Sequence, residues 1–478
     1  MTPDPCRVII KLFVPGQDAA LVHTRAAAII ERIAHLDEDE SSRLLNQTME
    51  RFGTRHHDLE ATFRHHYDLV RHRVAASSDL SPTARTLVGA YFSHEYAVEA
   101  AALCNPSMVA HPDQSALRPA QLRVAISLRQ IGEGHISSIG FATGVLGPDT
   151  RLAVADRSGP LQTGHRSSAR HRRDLLAAAV ADEGCDNEVS ATVLGYLPEH
   201  FDDDDFERAL GRIPADLLTR NTTHSTLEQL RRMTAASYAV TFPAEVPLDR
   251  RILWPTAPPE SNGMEDARFV TFISDKGESA YHATYTAFDG RHIGARRLST
   301  GDLVKFEVAA LHGPATRSKG MALFPRTVGG PHLALCRCDG ETISLSTLDD
   351  QNRWQHPVPL HAAHRSWELI PVGNCGSPIE TASGWLVLTH GVGPMREYAI
   401  GALLLDLHHP ERVIAELPGV LLAPSDTERN GYVPNVVYSC GGLLHAGTLW
   451  IPYGASDTQV GFASIALTQL IDAMDRSR

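Results

Sequence analysis

Short β-rich runs of similar length, separated by glycine-bearing turns, fill the C-terminal part of this chain and restrict it to a sheet-built fold. Val124 to Leu128, Arg268 to Ile273, Tyr281 to Ala287, Leu333 to Cys338, Trp385 to Thr389 and Leu449 to Tyr453 carry the branched and aromatic residues that favour strands. Asp289-Gly290, Gly329-Gly330, Asp339-Gly340 and Gly441-Gly442 supply the turns. Leu298-Ser299-Thr300-Gly301-Asp302 returns as Leu345-Ser346-Thr347-Leu348-Asp349, an offset of 47 residues. That spacing matches a propeller blade of roughly 40–50 residues. One recurrence supports such a repeat without fixing it.

Two helical blocks accompany the strands. From residue 17 to about 100, helix formers dominate Ala26 to Ile33, Asp37 to Glu40 marks a break, and Leu44 to Phe52 and Leu59 to Val74 resume the period. Ser81-Pro82 opens a further helix, expected to run through Tyr91 and Tyr96 to Leu103. The second block spans about 171–236. In it Asp202 to Asp205 precede Phe206, as acids do at a helix N-terminus. Ser225 and Glu228 have capping-box spacing ahead of Leu230.

At 478 residues the chain exceeds one small domain. Its formal net charge of −12, with no long basic patch, argues against nucleic acid as a partner. No run approaches the length of a membrane span. The N-terminal apolar stretch, broken by Pro15 and Gly16, is too short for a secretory signal. The seven cysteines, odd in number and scattered, read as reduced thiols in a cytoplasmic protein. Cys336 and Cys338 alternate along a strand and share one face, but C-x-C is a poor metal signature. His56-His57 and His65-His66 read as a solvated helix face, so no metal centre is expected.

The segment Gly263-Met264-Glu265-Asp266-Ala267-Arg268-Phe269 sets two acids and an arginine at the edge of an apolar strand. Such a trio is either a surface ion pair or a proton donor beside a group that holds an anion or a polyol. Downstream follow Gly373 to Val392 (GNCGSPIETASGWLVLTHGV), Tyr398, Leu403-Leu404-Leu405-Asp406, Glu428 to Val436 (ERNGYVPNV) and Tyr453-Gly454-Ala455-Ser456-Asp457. Over roughly residues 100–465 this series resembles glycoside hydrolase family 130, the inverting mannoside phosphorylases and mannosidases. The family pattern is G-x-E-D-P-R, P-P-I-x-T, G-W-L-x-x-Y-H-G, L-L-D-x-x-x-P, E-x-G-x-V-x-N-V and Y-G-x-x-D. Ala267, Ser377 and Thr389 depart from it, as in a divergent subgroup.

The resemblance implies a mainly β fold: a five-bladed β-propeller over residues 101–470, with an N-terminal helical extension over 1–100 and a helical insertion at about 171–236. It implies Asp266 as the catalytic acid, its proton relayed through a sugar hydroxyl. Glu265, Arg268, Asn105, Arg129 and Asp457 are implied around the sugar, and Lys319, Arg337, His390 and Tyr398 around phosphate. Asp406 reads as a turn former. Gly132-Glu133-Gly134 does not complete a nucleotide loop.

Inverting chemistry needs an acid for the leaving oxygen and a nucleophile on the opposite face of the sugar. The expected reaction is phosphorolysis of a β-mannoside to α-mannose 1-phosphate, with inorganic phosphate as co-substrate and no cofactor. The expected partners are a mannoside oligosaccharide and phosphate, neither nucleic acid nor membrane, with a possible homo-oligomer. The alternative is an inverting β-mannosidase using Glu133 or Glu380 as base. A non-catalytic glycan-binding propeller is disfavoured because a lectin needs no proton donor.

Overall fold

The computed structural model describes residues 1–15, 19–73, 80–148 and 151–476. The chain is mainly β and divides into two compact units. One comprises residues 1–3, 101–156 and 164–478, and the other residues 4–100 and 157–163.

The smaller unit holds helices Ala19–Ala34, Glu38–Phe52, Leu59–Val70 and Pro82–Tyr91. Asp37, Asp58 and Ser81 cap the last three by accepting from the backbone N–H of Glu40, Ala61 and Ala84. Ala26, Ile30 and Ile33 recur at helical spacing and pack with Val70, Leu87, Val88 and Phe92. Residues 17 and 18 and Val74, at the edges of the expected helical runs, lie outside the described residues.

The helix expected to reach Leu103 stops at Tyr91. Ser93 Oγ donates to Gly89 O at 2.8 Å at its last turn. Ser93–Ala97 then pairs antiparallel with Val8–Leu12, a ladder made by a segment distant in sequence. The histidine pairs do not form one solvated face. His57 and His65 are exposed, but His56 is buried against Glu95 Oε1 at 2.7 Å and His66 against Ser93 Oγ at 2.7 Å. Burial pushes His66 down to about 4, with help from His65 and His94.

The larger unit carries five successive antiparallel meanders. The first is Ala102–Ala110, Leu122–Ile131 and Ser137–Leu146; the second is Gly263–Ile273, Ser279–Phe288, Ile293–Thr300 and Lys305–Ala310. The third is Ala322–Leu323, Leu333–Cys336, Thr342–Thr347 and Val358–Ala362. The fourth is Val372–Asn374, Gly384–Val392, Tyr398–Leu405 and Val413–Glu416. In the fifth, Thr448–Ala455 pairs with Val437–Tyr438 and Leu443–His445 on one edge and Gln459–Ala466 on the other. The recurring Leu298 and Leu345 both fall in the third strand of their meanders.

Packing joins the meanders in order. Phe141 of the first packs with Phe269 and Tyr285 of the second. Val270 and Ala295 of the second pack with Met321 and Ala334 of the third. Leu335 and Ile343 then meet Trp385 and Val387 of the fourth. Leu386 and Leu388 meet Leu449 and Ile451 of the fifth. Trp450 and Val460 of the fifth pack with Leu103, Ile126 and Leu128 of the first. Strand alternation explains this sharing: Trp385 and Val387 point to one neighbour, Leu386 and Leu388 to the other, so the whole Gly384–Val392 strand is buried.

Helices Arg173–Asp182, Glu188–Tyr196, Asp203–Leu210, Ala215–Leu218 and Thr223–Ala235 form the second helical block. They share their own core of Leu176, Val180, Val189, Val193, Phe206 and Leu230. Asp202 and Asp205 make a reciprocal capping box. Ser225 is not a cap: the last helix starts at Thr223, and Ser225 Oγ bonds to Thr222 O inside its first turn. Cys336 and Cys338 face one core together, and all seven cysteines are free thiols.

Candidate active site

Both acids of the Gly263–Phe269 segment sit where the first strand of the second meander bulges, between Glu265 and Arg268. Asp266 has φ 56°, a left-handed conformation that turns its carboxylate out of the pleat. Asn105, on the first strand of the first meander, has φ 48° at a bulge between Cys104 and Ser107. The two bulges face each other, and Asn105 Nδ2 donates to Asp266 Oδ1 at 2.6 Å.

Arg129 bridges both acids, with Nη2 at 2.6 Å from Glu265 Oε1 and Nη1 at 3.3 Å from Asp266 Oδ1. Its Nε donates to Ser137 Oγ at 3.1 Å. Lys319 Nζ donates to Glu265 Oε2 at 2.6 Å. Glu265 is therefore paired with Arg129 and Lys319, not with Arg268. Arg268, buried, donates to the carbonyls of Cys375 and Asp266 and to the Tyr438 hydroxyl, each at 2.8 Å. Its Nη2 is 3.8 Å from Asp266 Oδ2.

Tyr438 links this cluster to a second one. Its ring centroid lies 4.8 Å from that of His390, and Tyr398 stacks on His390 at 6.1 Å. Arg337 Nη1 donates to His390 Nε2 at 2.9 Å, which leaves the imidazole proton on Nδ1. His390 Nδ1 and Arg337 Nε are buried without a hydrogen-bond partner, as are Asn105 Oδ1, Asn374 Oδ1 and Ser377 Oγ. Orphaned buried polar atoms are rare in folded proteins and mark places where a ligand or water belongs. Gly373 is required here: a Cβ on it would lie 2.5 Å from His390 Cε1 and 2.9 Å from Arg337 Nη1.

Electrostatics divides the titratable groups. Burial works to raise Asp266, but Arg129, Arg268, the Asn105 amide and Lys319 together hold it below the usual carboxylate range. Burial, opposed by Arg129 and reinforced by the Asp266 charge, pushes Asp457 up to about 6. Asp457 has φ 48° and makes no hydrogen bond among the described residues. Burial and the charges of Arg337 and Arg268 keep His390 neutral. Four cations, Arg129, Arg268, Lys319 and Arg337, outnumber the carboxylates Glu265, Asp266 and Asp457, although the whole chain is formally −12.

All ten residues singled out from the sequence thus lie in or beside one network. Lys319 meets Glu265 instead of the Arg337 and His390 pair. Tyr438, Ser137 and Asn374 were not singled out; Tyr438 stands just past the Glu428 to Val436 run and was readable only as an extension of it. Asp406 accepts from the backbone N–H of His408 and His409 and forms a turn. Glu380 is engaged by Arg326 through bonds of 2.9 and 2.6 Å. Glu133 lies on an exposed turn.

The family model described as beta-1,4-mannooligosaccharide phosphorylase matches residues 236–476, half of the chain. The chain belongs to glycoside hydrolase family 130. It is 32% identical over 230 residues to the 1,2-beta-oligomannan phosphorylase of Thermoanaerobacter sp. (strain X514), covering 47% of this chain and 75% of that protein. It is 34% identical over 223 residues to the beta-1,2-mannobiose phosphorylase of the same organism, covering 45% and 71%. A solved structure of the beta-1,2-mannobiose phosphorylase from Listeria innocua with beta-1,2-mannobiose aligns with 78% of this chain and 92% of its own, at 19% identity and a TM-score of 0.46. Family 130 is an enzyme family, and its model and these relatives are mannoside phosphorylases. Asn105 and Arg129 lie N-terminal to the matched region. No helix among the described residues is long and apolar enough to cross a membrane.

Proposed function

We propose that this member of family 130 is an inverting phosphorylase that cleaves a β-mannoside with inorganic phosphate to give α-mannose 1-phosphate. The observation that carries this reading is the pair of half-buried Arg337 and buried His390, with Arg337 Nε and His390 Nδ1 left without partners, beside the Asp266 cluster. A dianion accepts several charge-assisted hydrogen bonds at once; Arg337 and the Nδ1–H of His390 supply donors, and Lys319, which rests on Glu265 in the free enzyme, would turn to supply another. The relatives' names point the same way.

In this reading Asp266 is the acid, its proton passing to the leaving oxygen through a mannose hydroxyl. Asn105 and Arg129 fix the carboxylate. Glu265, Arg268 and Asp457 hold the sugar, and Tyr398 closes the phosphate side over His390. Asp266 is ionised in the free enzyme at neutral pH, so it must gain a proton before it can act. Phosphate provides the means: a dianion among Arg337, Lys319 and His390 cancels part of the positive field and raises Asp266. Acid and nucleophile would then become competent together. Phosphate attacks opposite the departing β-linked group, which leaves the α-phosphate. No other cofactor is invoked.

The five meanders and their ring of shared cores support a five-bladed propeller over residues 101–470, with the 171–236 helices as an insertion and residues 1–100 as an extension. The fold and its free thiols suit a cytoplasmic enzyme. The test is the phosphate requirement. Lys319→Ala and Arg337→Ala should each raise the phosphate KM about tenfold or more, since a charge-assisted contact is worth roughly 1.5–3 kcal/mol. The mannoside KM should change much less in Arg337→Ala, whereas Lys319→Ala also releases Glu265 and should raise it as well. Equal turnover in phosphate-free buffer, with free mannose as sole product, would replace this reading by the mannosidase.

A further inference from the structure

The last strand of the third meander and the turn after it carry His361-x-x-His364. The last strand of the fourth meander brings Glu416 against them. One ring nitrogen of each histidine and one oxygen of Glu416 lie within 4.8 Å of one another. The two rings meet edge to face, their centroids 5.2 Å apart. These groups belong neither to the Asp266 cluster nor to the Arg337 and His390 pair.

The orientation of the rings is the telling feature. His361 Nδ1 and His364 Nε2 point at Glu416, at 3.9 and 3.3 Å. The opposite nitrogens, His361 Nε2 and His364 Nδ1, both point at one oxygen of Glu368, at 3.6 and 3.5 Å. Glu368 is 1% exposed and is fixed by the backbone N–H groups of His364 and Arg365, at 3.3 and 3.2 Å. A carboxylate behind a ligating imidazole sets its tautomer and strengthens its free nitrogen as a ligand. Glu368 stands behind both rings, and His364 Nδ1 also lies 3.2 Å from the Ala362 carbonyl, a nearer acceptor that fixes the same tautomer. His361 is itself 8% exposed, and its carboxylate contacts are longer than hydrogen bonds. Arg365 Nη2 holds Glu416 Oε2 at 2.9 Å, leaving Oε1 free toward His361.

Two imidazoles and a carboxylate suit zinc-class ions, whereas calcium and magnesium take oxygen shells. Bonds of about 2.0–2.2 Å in a tetrahedron place donors roughly 3.3 Å apart. Small rotations of His364, half exposed, and of Glu416 would close the cluster to that size. We infer that His361 Nδ1, His364 Nε2 and Glu416 bind a divalent zinc-class cation, with Glu368 behind both imidazoles, the Ala362 carbonyl behind His364, and water completing the tetrahedron. Trp367, between these residues, packs against Gly391 and Gly401, so the ion would brace the strand that carries His390.

The test uses the full chain, freed of metal with a chelator and titrated with Co²⁺ and Zn²⁺. The expected result is one ion per chain at micromolar affinity, with only nitrogen and oxygen neighbours by X-ray absorption. Affinity should fall by about tenfold or more in both His364→Ala and Glu416→Gln. His364→Ala changes a half-exposed side chain and should keep the metal-free Tm, so it decides the matter if Glu416→Gln folds poorly. Sulfur neighbours would assign the binding to the free cysteines. That result, unchanged affinity in His364→Ala, or no stoichiometric binding would overturn the inference.

Discussion

Asp266 and Asp457 stand near the same arginine, and their surroundings drive them apart in proton affinity. Removing the proton donor is the more drastic change. Asp266→Asn should reduce phosphorolysis by on the order of 100- to 10,000-fold while circular dichroism stays unchanged; wild-type turnover on an unactivated mannoside would remove Asp266 from that role. Asp457 makes a prediction about stability. In an unfolded chain it titrates near about 3.9, and in the fold at about 6. The folded state binds this proton more tightly, so the associated stability is complete below the lower value and lost as pH rises through the upper one. Asp457→Asn should therefore raise the unfolding free energy at pH 7–8 by about 1–2 kcal/mol after allowance for partial exposure, with a matching rise in Tm, and give no gain near pH 4. A Tm difference that does not vary with pH would contradict the assignment. At this scale the sequence was informative about identity and poor about pairing. The adjacent acids and Arg268 were plain, but Lys319 meeting Glu265 depends on a fold-wide juxtaposition that no local spacing encodes.

Among the elements, strands with alternating or continuous apolar character were legible at their centres, and their ends were extended by pairing. Trp385 to Thr389 became Gly384–Val392 because both flanks find antiparallel partners. The helix expected to continue to Leu103 failed for the converse reason. Ser93–Ala97 has no strong strand signal and becomes a strand only because Val8–Leu12 lies beside it. No local spacing links His361-x-x-His364 to Glu416, because they come from different meanders. Gly373 gives the prediction that belongs to this scale. Gly373→Ala places a methyl group against His390 and Arg337, and should raise the phosphate KM on the order of tenfold while leaving the mannoside KM nearly unchanged. An unaltered phosphate KM would show that the pair tolerates displacement.

For the molecule as a whole, a ligand that binds only the folded state stabilises it by mass action. Phosphate at about 100 times its dissociation constant adds roughly 2.7 kcal/mol. Thermal unfolding should therefore shift upward with phosphate in wild type and much less in Arg337→Ala; equal shifts in both would point to binding elsewhere. The return of Leu298-Ser299-Thr300 as Leu345-Ser346-Thr347 was visible in the sequence, but the packing of the first meander against the fifth was not, since it needs contacts at the two ends of the larger unit. That packing bears on how the protein is made. Leu103, Ile126 and Leu128 leave the ribosome long before Trp450 and Val460, the residues that cover them. At roughly 5–20 residues per second, that apolar face waits about 20–70 s for its partner. The nascent chain must spend that interval with one greasy flank uncovered, which makes the first meander a natural client for a chaperone.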